Sequence, residues 1–513
     1  MKYILGVDCG TGGVRVGIFD LEGRLLVFAS ESVKLSSPRV GWAEQLPNDW
    51  QSAMCMASRN AVQKAGVDPR DIIGMSVSST VSTILFLNED MRPIYPAIMW
   101  CDVRSSQEAD LIKASGSRVL KYNGFANVSA EWAIPKIMWV KKNRPEIFEK
   151  SKHICECLDY LSYLLTGELV SSINAVTARW YYDSRNGGWP TDFYDSIGLS
   201  GIIEKFPSTV RKLGEPLGKL KPGIANDMGL VPGIIVGVGG CDAYLATFAL
   251  GVVKPGSIAM GTGTSNLQYA LLEEEVNDKG FFGAFPDAVI DGYYAIEGGQ
   301  TTTGGLINWF SSQYCDSYKL QAEQAGLPLV RYLDQEAAKL PIGSEGLIIL
   351  DYFQGNRTPW VDNNIRGLIY GLSLKHTPVH IFRAIIEAVC FGTALIIETF
   401  IKYMEKPETM SISGGLTKSE LYLQTLADVC DMPILLPECI ESPCFGAAIL
   451  GAIAAGAYGS IAEASSKMVR FVRRVEPIPA NREQFKFYFE KYKTLYPLIA
   501  QWGQEITNHI AAT

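Results

Sequence analysis

The sequence predicts an α/β protein of two related lobes, and three observations lead there. "GVDCGTGGVRVGIFD", Gly6 to Asp20, reads as a strand, a glycine/threonine turn and a second strand. "GSIAMGTGTSNLQYA", Gly256 to Ala270, repeats that pattern about half a chain later. The 513-residue length is too great for one ordinary core and leaves room for about two to four domains.

The first lobe begins with "YILGVD", a buried strand by its apolar run. "VRVGIFD" and "LEGRLLVFASESV" follow as further strands, so the chain meanders through hairpins. A dinucleotide-binding glycine motif needs a helix after its turn, and this pattern does not supply one. Near the middle, "VPGIIVGVGGCDAYLATFALGVVKPG" reads as a strand ending in glycines, then Asp242, then a helix. The lobe boundary is placed between Ala243 and Pro255, giving an N-terminal lobe of 1–246 and a C-terminal lobe of 247–513. In the second lobe "EGGQTTTGGLINWF" is a glycine/threonine turn entering a helix whose N-terminus suits phosphate. "SISGGLTKSELYLQTLADVCDMPI" is a strand, the pair Gly414–Gly415, and a helix, a junction where a flat ring can lie on backbone. From about Glu463 the chain reads as helical and more charged, a C-terminal packing element.

Composition narrows the function. The chain is 47% hydrophobic and 19% charged, which fits a globular protein with large cores. A formal net charge of -8 argues against nucleic acid or an anionic membrane as partner, because both want a basic face. It leaves a small anionic ligand open. The 11 cysteines are odd in number and include no C-x-x-C, so they read as reduced thiols of a cytoplasmic protein. None of the 4 histidines lies in a glycine-rich segment, so a carboxylate is the expected general base. The apolar run before Asp8 is too short for a signal peptide. "FGAAILGAIAAGAYG", Phe445 to Gly459, is too short for a membrane span and reads as a closely packed internal helix.

A glycine/threonine hairpin turn brings backbone N–H groups close to an anion, because no Cβ blocks the approach. Two such turns across a cleft would grip a polyphosphate from both sides. Asp8, at the end of the first strand, would repel phosphate unless Mg2+ lies between them. The plainer alternative is a hairpin whose glycines serve only its geometry.

These pieces in this order resemble the FGGY carbohydrate kinases of the actin-like ATPase superfamily. "DCGTGGVR" resembles the family's first phosphate motif, and "GWAEQLPNDW" is similar to a segment of xylulose kinases. "IPKIMWVKKNRPEIF" resembles the N-terminal signature, with Ala133 where Pro, Ser or Thr is usual. "GLIYGLSLKHTPVHIFRAIIE" fits the C-terminal signature throughout. The resemblance implies two ribonuclease H-like lobes around an interlobe cleft. It implies transfer of the γ-phosphoryl group of Mg-ATP to a terminal hydroxyl of a ketopentose, D-ribulose or D-xylulose.

Residue roles follow from the matched motifs. The resemblance makes Asp242 the general base, with Asp8 and Asp242 near the Mg2+. In "IMWCDVRS" it implies that Asp102 and Arg104 hydrogen-bond sugar hydroxyls, the plainer reading being a surface salt bridge. Ser79 and Thr80 occupy the place where xylulose kinases carry a Met-His pair, and they look more like the ribulose/ribitol branch. "EGGQTTTG" and "GNRTPWVD" lean the same way, while "GTGTSN" lacks the T-C-H common there. For ATP the matching positions are Thr11, Gly12 and Arg15, then Gly261, Thr262, Gly263 and Thr264. Gly304 and Asn308 match nucleotide-facing residues, and Gly414, Gly415 and Lys418 the purine end. Gln424 and Asp428 read as packing residues, and Trp100 and Trp139 as core or pocket wall. The competing readings are an actin-like ATPase without a sugar substrate and a kinase of glycerol, a tetrulose or an autoinducer-2-type sugar. Dimers are common in the family, so a homodimer is an option, though no segment marks an interface.

Overall fold

The computed structural model describes residues 1–125 and 128–512. Three consecutive apolar runs form β1 (Tyr3–Gly10), β2 (Gly13–Asp20) and β3 (Leu25–Ser32). β1 and β2 are buried almost throughout, as strands covered on both faces must be, and β3 is the exposed edge. The sheet is completed by β4 (Ile72–Ser79), β5 (Pro216–Lys219) and β6 (Ile235–Cys241), in the order β5-β6-β4-β1-β2-β3.

The second sheet contains β7 (Ser257–Thr262), β8 (Asn266–Leu272), β9 (Phe282–Pro286), β10 (Tyr294–Gln300), β11 (Thr409–Gly414), β12 (Ile434–Pro437) and β13 (Phe471–Val475). Its order is β9-β10-β8-β7-β11-β12-β13. Apart from the extra edge strand β9, the two sheets match in order and direction. In the first, β1 pairs antiparallel with β2 and parallel with β4. In the second, β7 pairs antiparallel with β8 and parallel with β11. The turns β1–β2 and β7–β8 are therefore equivalent points of two ribonuclease H-like lobes.

The helix Ser442–Ala454 is the closely packed helix expected from its small residues, but it lies against β1, β4 and β6 of the first sheet. Glycines make this approach: a Cβ on Gly6 would sit 2.1 Å from the Cys444 carbonyl oxygen, and one on Gly74 2.3 Å from that of Gly451. With the helix Ile461–Met468 it joins the first hydrophobic core. Part of the chain after residue 247 thus returns to pack on the first lobe. The C-terminal element is also not wholly helical. β13 closes the second sheet before the helix Pro479–Ala512 packs on the helix Glu420–Cys430.

The helix Pro378–Phe400 is long and apolar enough to cross a membrane, yet 89% of its apolar window is buried inside the protein. It is the central core helix of the second lobe. All cysteines are free.

Candidate functional site

A cavity of about 410 Å³ opens between the lobes, and residues of both hairpin turns line it. Thr11 comes from the first turn, and Gly261, Thr262 and Ser265 from the second. Asp242 lies on the cavity wall as the first residue of the helix Asp242–Ala249, where β6 ends. Its Oδ1 accepts the Ala243 backbone N–H at 2.7 Å. The aspartate thus holds the adjoining N–H of the first helical turn and still faces the cavity.

Burial pushes the Asp242 carboxyl up to about 7, and the negative charge of Asp8 adds to the shift. Asp8 is buried at the end of β1, and burial raises its carboxyl too. Asp8 accepts the Ser78 hydroxyl at 3.1 Å and Arg15 Nη1 at 2.8 Å. Arg15, expected on the nucleotide, is in this state the ion-pair partner of Asp8. Among the described residues no group of three or more His, Cys, Asp or Glu could hold a metal ion. Two neighbouring carboxylates with an all-oxygen donor set suit a hard cation that brings its remaining oxygen ligands with a phosphate.

The first turn is held by two side chains from other segments. Gln45 donates to the Thr11 carbonyl and Trp100 Nε1 to Thr11 Oγ1, both at 2.8 Å. Trp100 is pocket wall, as expected. A Cβ on Gly12, Gly261 or Gly415 would meet nothing within 4 Å, and of these Gly261 lines the cavity. The second turn differs from expectation at its far side. The N–H groups of Thr303, Gly304 and Gly305 donate to the carbonyls of Gly263 and Thr264. Those donors at the start of the helix Gly304–Tyr314 are used by the turn and do not stand free for phosphate. A Cβ on Gly304 would lie 2.4 Å from the Gly263 carbonyl oxygen, so this glycine seats the helix on the turn. Gly414, at φ 115, permits the same closeness to Thr262. Thr264, Asn308 and Lys418 are exposed, and none lines the cavity.

Asp102 and Arg104 require a correction. Both side chains are 0% exposed, and neither lines the cavity. Arg104 bonds Asp102 through Nε at 2.9 Å and Nη2 at 2.7 Å, and also reaches Glu44 at 2.7 Å. Its guanidinium lies 3.7 Å over the Trp42 ring and 5.1 Å from that of Trp139. Asp102 also accepts the Ala43 N–H at 2.6 Å. This pair frames the loop that presents Trp100, and its hydrogen-bonding capacity is used internally. Thr80 does line the cavity, whereas Ser79 is buried and bonds the Thr80 carbonyl. Gln424 and Asp428 bond each other, and Asp428 anchors Ile478 and Asn481, as packing residues do.

The sequence reading missed a charged cluster on the cavity wall. Glu297 of β10 accepts Arg179 at 2.8 Å, Tyr244 at 2.7 Å, and Arg357. Burial alone would raise the Glu297 carboxyl, but the two guanidinium groups hold it at about 2. Arg179 ends the helix Ile173–Arg179 of the first lobe, so the cluster ties the lobes together. Glu297 and Arg357 lie inside "EGGQTTTG" and "GNRTPWVD", stretches that stand out in sequence for other residues. Arg179 stands in no motif.

The cleft, its paired turns and its raised carboxylate define a phosphoryl-transfer site. The N-terminal domain of the FGGY family of carbohydrate kinases matches residues 3–249, and the C-terminal domain of that family matches residues 257–455. Ribulokinase 2 of Staphylococcus saprophyticus is 30% identical over 100% of both chains. A human FGGY carbohydrate kinase domain-containing protein is 30% identical, covering 97% of this chain and 96% of its own. The crystal structure of a xyloylose kinase from Brucella ovis superposes with a TM-score of 0.85 at 25% identity, covering 98% of this chain and 100% of that one. The chain belongs to the FGGY family of carbohydrate kinases. That membership decides against an actin-like ATPase with no sugar substrate.

Proposed function

We propose that this kinase transfers the γ-phosphoryl group of ATP to a terminal hydroxyl of a ketopentose, with ribulose preferred over xylulose. The observation that carries the reading is Asp242. It stands on the cavity wall between two glycine turns, with its carboxyl raised to about 7. A base poised near neutral pH is suited to take the proton of an alcohol as the new bond to phosphorus forms.

The turns at Thr11–Gly12 and Gly261–Thr264 are the proposed grips for the phosphates, and the open space over Gly415 the purine seat. The sugar end is the part of the cavity walled by Thr80, Trp100, Glu131, Trp132 and Arg179. Mg2+, held with Asp8 and Asp242, would supply positive charge against the phosphates. Once nucleotide is present, Arg15 can exchange its bond to Asp8 for a phosphate oxygen. Lobe closure then excludes water and aligns the hydroxyl.

Ribulose is preferred because Thr80 presents a small hydroxyl to the cavity in place of a larger side chain. The similarity to a ribulokinase points the same way. The test is ADP release from Mg-ATP against D- and L-ribulose, D- and L-xylulose, ribitol, xylitol, erythrulose, glycerol and gluconate. Strong turnover of a ribulose is expected. A preference for glycerol, gluconate or a tetrulose would overturn the assignment.

A further inference from the structure

The segment "IPKIMWVKKNRPEIF" contributes a lysine that the proposed chemistry does not use. Lys136 lies on the helix Ala133–Asn143 and is 0% exposed. Its Nζ donates to four backbone carbonyls: Ser82 at 2.7 Å, Met99 at 2.8 Å, Glu131 at 2.9 Å and Trp100 at 3.1 Å. An ammonium has three protons, so these carbonyls share them and the cage is full. Ser82, Trp100 and Glu131 all line the cavity, and they come from three separate stretches of chain.

Glu156 holds the same turn from the other side. It is 0% exposed, at the end of the strand His153–Glu156. Its carboxylate accepts the N–H groups of Ser82 at 3.0 Å and Thr83 at 3.1 Å, and Trp180 Nε1 at 2.6 Å. Ser82 therefore has its N–H fixed by Glu156 and its carbonyl by Lys136. Its own hydroxyl finds no partner among the described residues, so it is the backbone that is held. Ser82 sits at φ 62, a left-handed conformation that a serine keeps only where its surroundings impose it. Thr83 extends the restraint, since its Oγ1 meets Thr80 Oγ1 at 2.8 Å and accepts the Trp100 N–H at 3.2 Å.

Burial pushes Lys136 down to about 8 and Glu156 up to about 7. Buried ionisable groups of this kind are poor sources of stability, and apolar replacements often match them. What they supply here is a fixed backbone geometry around one end of the cavity.

We propose that Lys136 and Glu156 are positioning residues for sugar selectivity, fixing the Thr80–Thr83 turn against the segments that present Trp100 and Glu131. The proposal rests on the reading that the sugar occupies this end of the cavity. It predicts that loosening the clamp affects sugar recognition more than nucleotide binding, because the clamp reaches the first glycine turn through the Trp100 bond to Thr11 while the second turn lies on β7 and β8.

The test uses two variants of the full chain, Lys136→Met and the milder Glu156→Gln, the second because the first risks misfolding. In Glu156→Gln the sugar KM should rise at least tenfold while the ATP KM stays within twofold. The preference for the best pentulose over the next should fall at least fivefold. Peptide-level hydrogen exchange should show lost protection at residues 80–83, 99–101 and 131–132, with β7 and β11 unchanged. Equal changes in both KM values, or intact sugar preference in a folded variant, would overturn the proposal. If the wild-type enzyme turned over no sugar, the pentulose reading would fall. The exchange data would then decide the clamp, with unchanged protection refuting it and selective loss supporting it.

Discussion

Replacing Glu297 with glutamine removes a negative charge from between two guanidinium groups and a tyrosine hydroxyl. The side chain is 0% exposed, so solvent screens none of these contacts. Its carboxyl titrates at about 2 against an ordinary 4.5. At about 1.4 kcal/mol per pH unit, its ionised form contributes about 3 kcal/mol to folding. The folded value is depressed, so this contribution is present above pH 4.5 and fades as pH falls from there to about 2. Glu297→Gln also leaves Arg179 buried without its counter-charge, an effect typically of about 3–5 kcal/mol. In a domain of this size 1 kcal/mol moves Tm by roughly 2–4 °C, so a loss of about 3–5 kcal/mol should lower Tm at pH 7 by roughly 6–20 °C. Scanning calorimetry of both proteins from pH 7 towards pH 3 is the assay. The gap should narrow in acid, because glutamine does not titrate. A drop of less than about 1 °C at pH 7, or a gap that does not narrow in acid, would refute the reasoning.

Other consequences follow from the same geometry. A base must be deprotonated, so kcat/KM should rise with pH through about 7, and Asp8→Asn, by removing a neighbouring charge, should move that limb to lower pH while raising the Mg2+ requirement. A pH profile with an unmoved limb would count against the coupling. Arg104→Met should lower stability by about 3–5 kcal/mol, because Asp102 loses its buried partner. In the folded fraction the variant should alter sugar and ATP KM values alike, whereas a selective sugar effect would reinstate a direct contact. Gly414→Ala should prevent stable folding, since a Cβ would lie 1.8 Å from the Thr262 carbonyl oxygen. Gly415→Ala should fold normally within about 0.5 kcal/mol and weaken ATP binding several-fold. Thermal scans and nucleotide titration separate these two glycines.

The hairpin turns and Asp242 are legible in sequence because each depends on local constraints that leave a mark there. A carboxylate buried at the end of a strand is costly unless charge or hydrogen bonds meet it, and the glycine turn beside it brings backbone donors to the same place. The same locality misleads at Asp102 and Arg104. Sequence gives two hydrogen-bonding side chains two residues apart, but it does not say that Trp42, Glu44 and Trp139 enclose them. Gly304 suits a nucleotide by its residue type, whereas its requirement comes from the carbonyl of Gly263, 41 positions away by number. Glu297 escapes a reading of sequence because its partners Arg179 and Arg357 come from distant segments and only the fold assembles them. The helix Ser442–Ala454 reads correctly as buried, but composition does not say which sheet it covers. Lys136 lies in plain view inside a family motif, and nothing in its neighbours announces four converging carbonyls.

The central claim is that Asp242 takes the sugar's proton. The most direct test is Asp242→Asn, assayed for ADP release with the best pentulose and for ATP affinity by calorimetric titration. The expected result is a fall in kcat of about 10²–10⁴-fold with ATP affinity nearly unchanged. Turnover within a few-fold of wild type would contradict the claim.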